Sequence, residues 1–301
     1  SEDSLDVVGD LDVDGGTIKL DGNYPVGTDN VALGNTALDT VEAGGNQNVA
    51  IGDDALTALT TGDNNTAVGY RTLKTAVTSL SNTAIGSLAL CTNTGGNNTA
   101  IGASAMECNT SGGYNTAVGK QANFKNTTGA CNSSLGQAAL KCNTEGSNNT
   151  AVGYAALYTN TTAAGNTAVG CGALFANTTG YSNTALGLNA GGDITTSIDS
   201  VAVGKDSLQA VTTGNYNVAV GRSALYTSTT GCLNTAVGTN AGAVITDGEC
   251  NVIVGANAGC KITTADHNTA VGYASFNEDT TGESNTAVGH ASLRANTTAS
   301  Y

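Results

Sequence analysis

From residue 30 onward, polar and apolar positions recur on a short fixed cycle, and one turn of it reads Asn149-Thr150-Ala151-Val152-Gly153-Tyr154-Ala155-Ala156-Leu157. Its glycine keeps the register through Gly34, Gly52, Gly69, Gly86, Gly102 and Gly119 to Gly289, with successive spacings of 18, 17, 17 and 16 and then 17 throughout. A period of this length, sustained over 16 copies, predicts a solenoid with one coil per repeat.

With the marker glycine as position 5, position 1 is Asn in 15 of 16 copies, position 2 is Thr, Val or Ser, and position 4 is always Val, Ile or Leu. Period-two alternation predicts a short strand. Positions 2 and 4 share one face, which its apolarity assigns to the interior. Positions 3 and 5, mostly Ala and Gly, share the other, a surface on which a second backbone could pack closely. Position 8 is Ala or Ser in nearly every copy and position 9 is usually Leu, which predicts a second strand with its own core residue. Where Gly191, Gly242 and Gly259 replace that leucine, Ile194, Ile245 and Ile262 appear at position 12, and Asn123 is followed by Phe124. These exchanges read as conservation of interior volume. Positions 12–15 often read Asn-Thr-Thr-Gly, as in Asn126–Gly129, a turn in which Gly supplies a positive φ and the following Asn tolerates left-handed geometry.

The expected architecture is all-β: a parallel β-solenoid with 16 coils of about 17 residues, spanning residues 30–301. At about 4.8 Å per coil the rod is roughly 75 Å long. Equivalent asparagines such as Asn149 are expected to stack as amide ladders, while Val152 and Leu157 fill the coil. Such a coil buries little, and the Ala151/Gly153 face is the expected contact for another copy of the chain.

Residues 1–29 differ from the repeats. Leu5, Val7, Leu11, Val13, Ile18 and Leu20 alternate with polar residues, predicting short strands in a separate acidic segment that caps or attaches the rod. Within it Asp10, Asp12, Asp14 and Asp21 have the spacing of the start of a Ca2+ loop. The alternation favours solvated aspartates on strands instead, so no cofactor is expected.

Composition narrows the function. A net charge of −14 with ten Lys and Arg residues disfavours nucleic acid, which demands clustered cations, and anionic membrane surfaces. No run of 18 or more apolar residues is present, so no membrane-spanning helix is expected. Cys91 and Cys108, like Cys232 and Cys250, fall on consecutive coils. They are candidates for coil-to-coil disulfides, which imply an oxidising setting. The alternative is that cysteine simply fills small half-buried sites. His267 and His290 sit where other copies carry Asn, Tyr or Lys and read as surface residues. Asp53–Asp54 and Glu278–Asp279 read as solvated turn charges. No catalytic constellation is visible, and a position-13 threonine column, the mark of an ice-binding face, is accompanied by too variable a position 14.

Asn48-Val49-Ala50-Ile51-Gly52 and Asn217-Val218-Ala219-Val220-Gly221 resemble the core motif of trimeric autotransporter adhesin heads. The longer unit Ser182–Gly187 and the leader from Gly15 to Pro25 are similar to repeats in tail-fibre and virion structural proteins of marine bacteriophages. The resemblance implies a left-handed parallel β-roll with three chains intertwined or side by side. It also implies a non-enzymatic fibre or adhesin role at a virion or cell surface, a host-surface receptor as partner, and an extracellular location. The alternative is a self-assembling extracellular or cell-surface filament or adhesin of a bacterium, with end-to-end stacking of the rods.

Overall fold

The computed structural model describes residues 28–42, 44–278, 280–294 and 297. Sixteen three-residue strands run from β1 (Val31–Leu33) through β8 (Thr150–Val152) and β9 (Thr167–Val169) to β16 (Thr286–Val288), with no helix among the described residues. They pair in sequence order into one parallel sheet. Like pairs with like: Thr150 with Thr167, Ala151 with Ala168, Val152 with Val169. The protein is therefore a parallel β-solenoid with one coil per repeat, as the periodicity predicts, though with one strand per coil instead of two. The candidate Ca2+ loop at Asp10, Asp12, Asp14 and Asp21 lies outside the described residues.

The strand faces are the reverse of the expectation. From β2 (Val49–Ile51) onward every position-3 residue is buried, Ala151 completely, whereas positions 2 and 4 are half-buried or exposed in every coil. Size decides this, not polarity. The interior of so narrow a coil already holds a leucine at position 9, and only a methyl group fits opposite it. The marker glycine is likewise a contact within the chain. Gly153 has φ +129°, and a Cβ there would stand 2.6 Å from the carbonyl oxygen of Gly170 on the next coil. Coil therefore approaches coil at the place where another chain was expected.

Positions 5–10 form a turn instead of a second strand. Positions 7 and 9 have positive φ in coil after coil, for example Ala155 (53°) and Leu157 (50°). Non-glycine residues visit this region singly and at a cost; here neighbouring coils hold them. Ala155 N–H donates back to Gln137 (3.1 Å), and Leu157 N–H donates forward to Ala173 (3.0 Å). The left-handed kinks break the inside–outside alternation, so Ala156 and Leu157, though adjacent, are both buried.

Two asparagine columns run through the rod. At position 1, Asn149 N–H donates to Asn132 Oδ1 (2.9 Å) and its Nδ2 donates to Ala163 O within its own coil (2.8 Å). This is the expected ladder, with backbone amides as its main donors. At position 12, Asn109, Asn126, Asn143, Asn160 and Asn177 each donate Nδ2–H to the Oδ1 one coil earlier, at 2.5–3.0 Å. A single carbonyl, Gly129 O, accepts from both columns, through Asn115 and Asn126 at 2.9 Å each. The position-15 glycine is thus retained for space and not for positive φ, and positive φ near position 1 falls on the residue before it, such as Asn148.

The volume exchanges hold where Gly replaces Leu. Cβ atoms on Gly191, Gly242 and Gly259 would meet the Cδ1 atoms of Ile194, Ile245 and Ile262 at 2.8–3.0 Å, and these isoleucines are buried. Ile253 at position 3 reaches into the same space beside Gly242 and Gly259. Asn123 is different. Phe124 lies half-buried outside the core, and Asn123 occupies the leucine slot with neither amide atom hydrogen-bonded.

Candidate functional site

The most distinctive surface is the outward face of the sheet. Its position-4 column runs Leu33, Ile51, Val68, Ile85, Ile101, Val118, Leu135 and on to Val288 without a break, and position 2 beside it holds only Thr, Val or Ser. Exposure along the column reaches 51% at Leu135 and 68% at Val288. Neither column carries a charge in any of its 16 coils. Three residues of strand span about 10 Å and 15 coil steps about 72 Å, so the face measures on the order of 700 Å². Single-chain proteins seldom leave an apolar patch of that size open. Charge returns at its margins, in Asp53, Lys120, Lys205 and Arg222 at position 6.

The structure assigns the motif residues separate tasks. Asn149, Ala151 and Leu157 are interior, Gly153 is the coil-to-coil contact, and Val152, with Thr150, belongs to the outward face. Hydrophobicity assigns these residues to the core, which hides the face from a reading of the sequence. One signal in the sequence could have corrected this: the only Ile at position 3, Ile253, accompanies Gly at position 9 in its own and the preceding coil. Positions 3 and 9 therefore share one space.

All eight cysteines are free thiols. Cys232 and Cys250 do meet on consecutive coils, Cys250 N–H donating to Cys232 O at 3.1 Å. The Cys232 sulfur is turned the other way, however, accepting from Asn215 N–H at 3.3 Å on the preceding coil. Cys91 and Cys108 are half-buried, and burial pushes both thiols up from their ordinary value, which lowers their reactivity. Among the described residues no three His, Cys, Asp or Glu side chains gather as a metal site. His290 stacks on Tyr273, with ring centroids 5.4 Å apart.

Asp54 is more than a solvated charge. It accepts from Lys74 Nζ (2.8 Å), Arg71 Nε (3.2 Å) and Thr36 Oγ1 (2.7 Å), drawing together three successive coils. The Lys74 hydrogen bond foremost, with help from Thr36 and Arg71, holds its carboxyl down at about 2. At position 13 threonine hydroxyls are turned inward: Thr144 Oγ1 donates to Thr161 O and Thr161 Oγ1 to Thr178 O, both at 3.1 Å. That column is a coil-to-coil brace.

No protein-family model, curated protein or solved structure matches the chain.

Proposed function

We propose that the protein is a non-enzymatic structural rod that associates with copies of itself through the uncharged sheet face and serves as a fibre shaft in surface attachment. The exposed position-4 column carries this reading. It is continuous over the rod, is bordered by charge only at its margins, and covers about the roughly 800 Å² that each partner contributes to a stable interface. Three copies is the number implied by the resemblance to trimeric adhesin heads, as are a virion or cell-surface location and a receptor on the host.

Light scattering on the purified chain tests the association. The expected mass is three times the 29.6 kDa of one chain. Replacing Val169 and Val203 by Lys places two buried charges in each copy of the interface and returns the species to one chain mass with unchanged circular dichroism. A monomeric parent protein would overturn the reading. End-to-end stacking is the second arrangement, favoured by β1 and β16 each pairing on one side only among the described residues; electron microscopy separates long filaments from discrete rods.

A further inference from the structure

Away from the sheet face, position 10 forms a side-chain column of its own. Lys141 Nζ lies 5.4 Å from the Tyr158 ring centroid, and Tyr158 stacks on Phe175 at 5.1 Å with 12° between planes. On the next coil the column stops, because position 10 is Gly192; it resumes one coil later as Gln209. The missing side chain leaves a groove of about 300 Å³. Tyr154 and Phe175 supply its aromatic surface, Asn189, Asp193 and Gln209 its polar groups, and Gly172 and Gly192 the openings between them.

The spacing of the groove fits one ring. Phe175 and Gln209 are two coil rises apart, about 10 Å. One saturated ring between them makes van der Waals contact on both sides, at about 3.5–4 Å per contact. Phe175 is covered by Tyr158 on one face only, so its other face is presented to the gap. An aromatic face is electronegative and attracts the polarised C–H groups of a sugar ring. Around that ring stand an amide at Asn189, a carboxylate at Asp193 and an amide at Gln209. The two amides each offer a donor and an acceptor to neighbouring hydroxyls, and the carboxylate accepts from hydroxyls. The Asn189 amide is steadied from outside the groove, its Nδ2 donating to Asp206 at 3.3 Å. No cation lines the groove, which counts against phosphorylated or acidic ligands.

We propose that this groove is a binding site for a neutral saccharide, with Phe175 as the stacking platform and Asn189, Asp193 and Gln209 as hydroxyl partners. The site does not depend on self-association, since it uses positions 6, 7, 10 and 11 and none of the sheet-face columns. A chain made monomeric by lysines at 169 and 203 therefore keeps it, and failure of one proposal leaves the other standing.

The decisive variant is Gly192→Tyr. It restores to the column the side chain already present at Tyr158 and Tyr226, and a Cβ at Gly192 meets nothing nearer than Asn189 O at 3.3 Å. The variant fills the groove, with the Asn189 carbonyl shifting by a few tenths of an ångström to admit the Cβ. Phe175→Ala removes the platform and provides a second, independent check. Binding is followed by saturation-transfer NMR titration with maltotriose, cellotriose, chitotriose and mannotriose, with choline as a cationic control. The expected result is saturable binding of at least one trisaccharide, weakened five-fold or more by each variant while circular dichroism is unchanged. The proposal is overturned if none of the four binds, if either variant weakens binding less than five-fold, or if choline alone binds.

Discussion

Individual side chains in this rod matter through the columns they stand in, and the two most informative are one that breaks its column and one that ties three coils together. Asn123 sits in the position-9 leucine slot, fully buried, with both amide atoms unpaired. A buried amide without partners costs about 1–3 kcal/mol, and ten other coils carry Leu at this position. Several of those leucines share the positive φ of Asn123, so the backbone accepts the change. Asn123→Leu is expected to stabilise the rod by about 1–3 kcal/mol, seen as a higher denaturation midpoint; a lower one would mean that the amide is satisfied. Asp54 is the second. Its folded pKa of about 2 lies below the ordinary 3.8. The stabilisation it lends is complete above the ordinary value and is lost as pH falls toward 2. Carboxyl-carbon NMR is expected to show Asp54 titrating near 2, and Asp54→Asn to abolish the difference in stability between pH 5 and 2 that this group contributes. A titration midpoint near 3.8 would contradict the three-coil ion cluster.

At the scale of the coil, backbone hydrogen bonds to both neighbours hold a conformation that a lone coil would not adopt. Asn149 shows how one residue supports three coils: its backbone N–H donates to Asn132 and its Nδ2 to Ala163, and its Oδ1 accepts from Asn166 N–H at 3.0 Å. Asn149→Ala leaves Asn166 N–H buried without this partner, while Ala163 O keeps Asn160 Nδ2 at 3.1 Å, and is expected to cost about 1–3 kcal/mol, measured by chemical denaturation. A loss below 1 kcal/mol would mean that the ladder is decorative. Much of this level was legible in the sequence: the period, the strand, the position-1 ladder and the Gly–Ile exchanges all follow from spacing. The strand facing was not, because hydrophobicity places Val152 inside and Ala151 outside, whereas the limited interior space of the coil does the opposite. Nor could spacing reveal the turn at positions 5–10. Ala156 and Leu157 as neighbours fit a strand end on paper, and the left-handed residues that bury both carry no residue-type signature. The groove was equally hidden, since Gly192 looks like one more glycine until its place beside Phe175 is known.

For the whole molecule, the consequence of strictly nearest-neighbour bonding is that length and fold are independent. Each strand pairs only with the one before and the one after it, so the stability of such an array is close to a sum over coils and their interfaces. Removing one full period should then shorten the rod and change little else. Deletion of residues 218–234 joins Asn217 to Thr235, position 1 to position 2, and brings Thr235 against Val201, both already outward-facing. The exposed column continues from Val203 to Val237 without a gap, and the Phe175–Gln209 groove is untouched. The shortened chain is expected to fold cooperatively, to be about 5 Å shorter by small-angle scattering, and to retain the parent's oligomeric state. Deletion of residues 218–225 alone removes half a period. Every later residue then meets the wrong partner: buried asparagines fall on apolar slots, and position-5 glycines no longer face one another where a Cβ cannot fit. That variant is expected to lose the cooperative transition of its C-terminal coils. If both deletions folded equally well, register would not be what holds the coils together. If neither folded, the coils would depend on contacts beyond their neighbours, and the exposed sheet face, as the one long-range surface the rod possesses, would be where those contacts form.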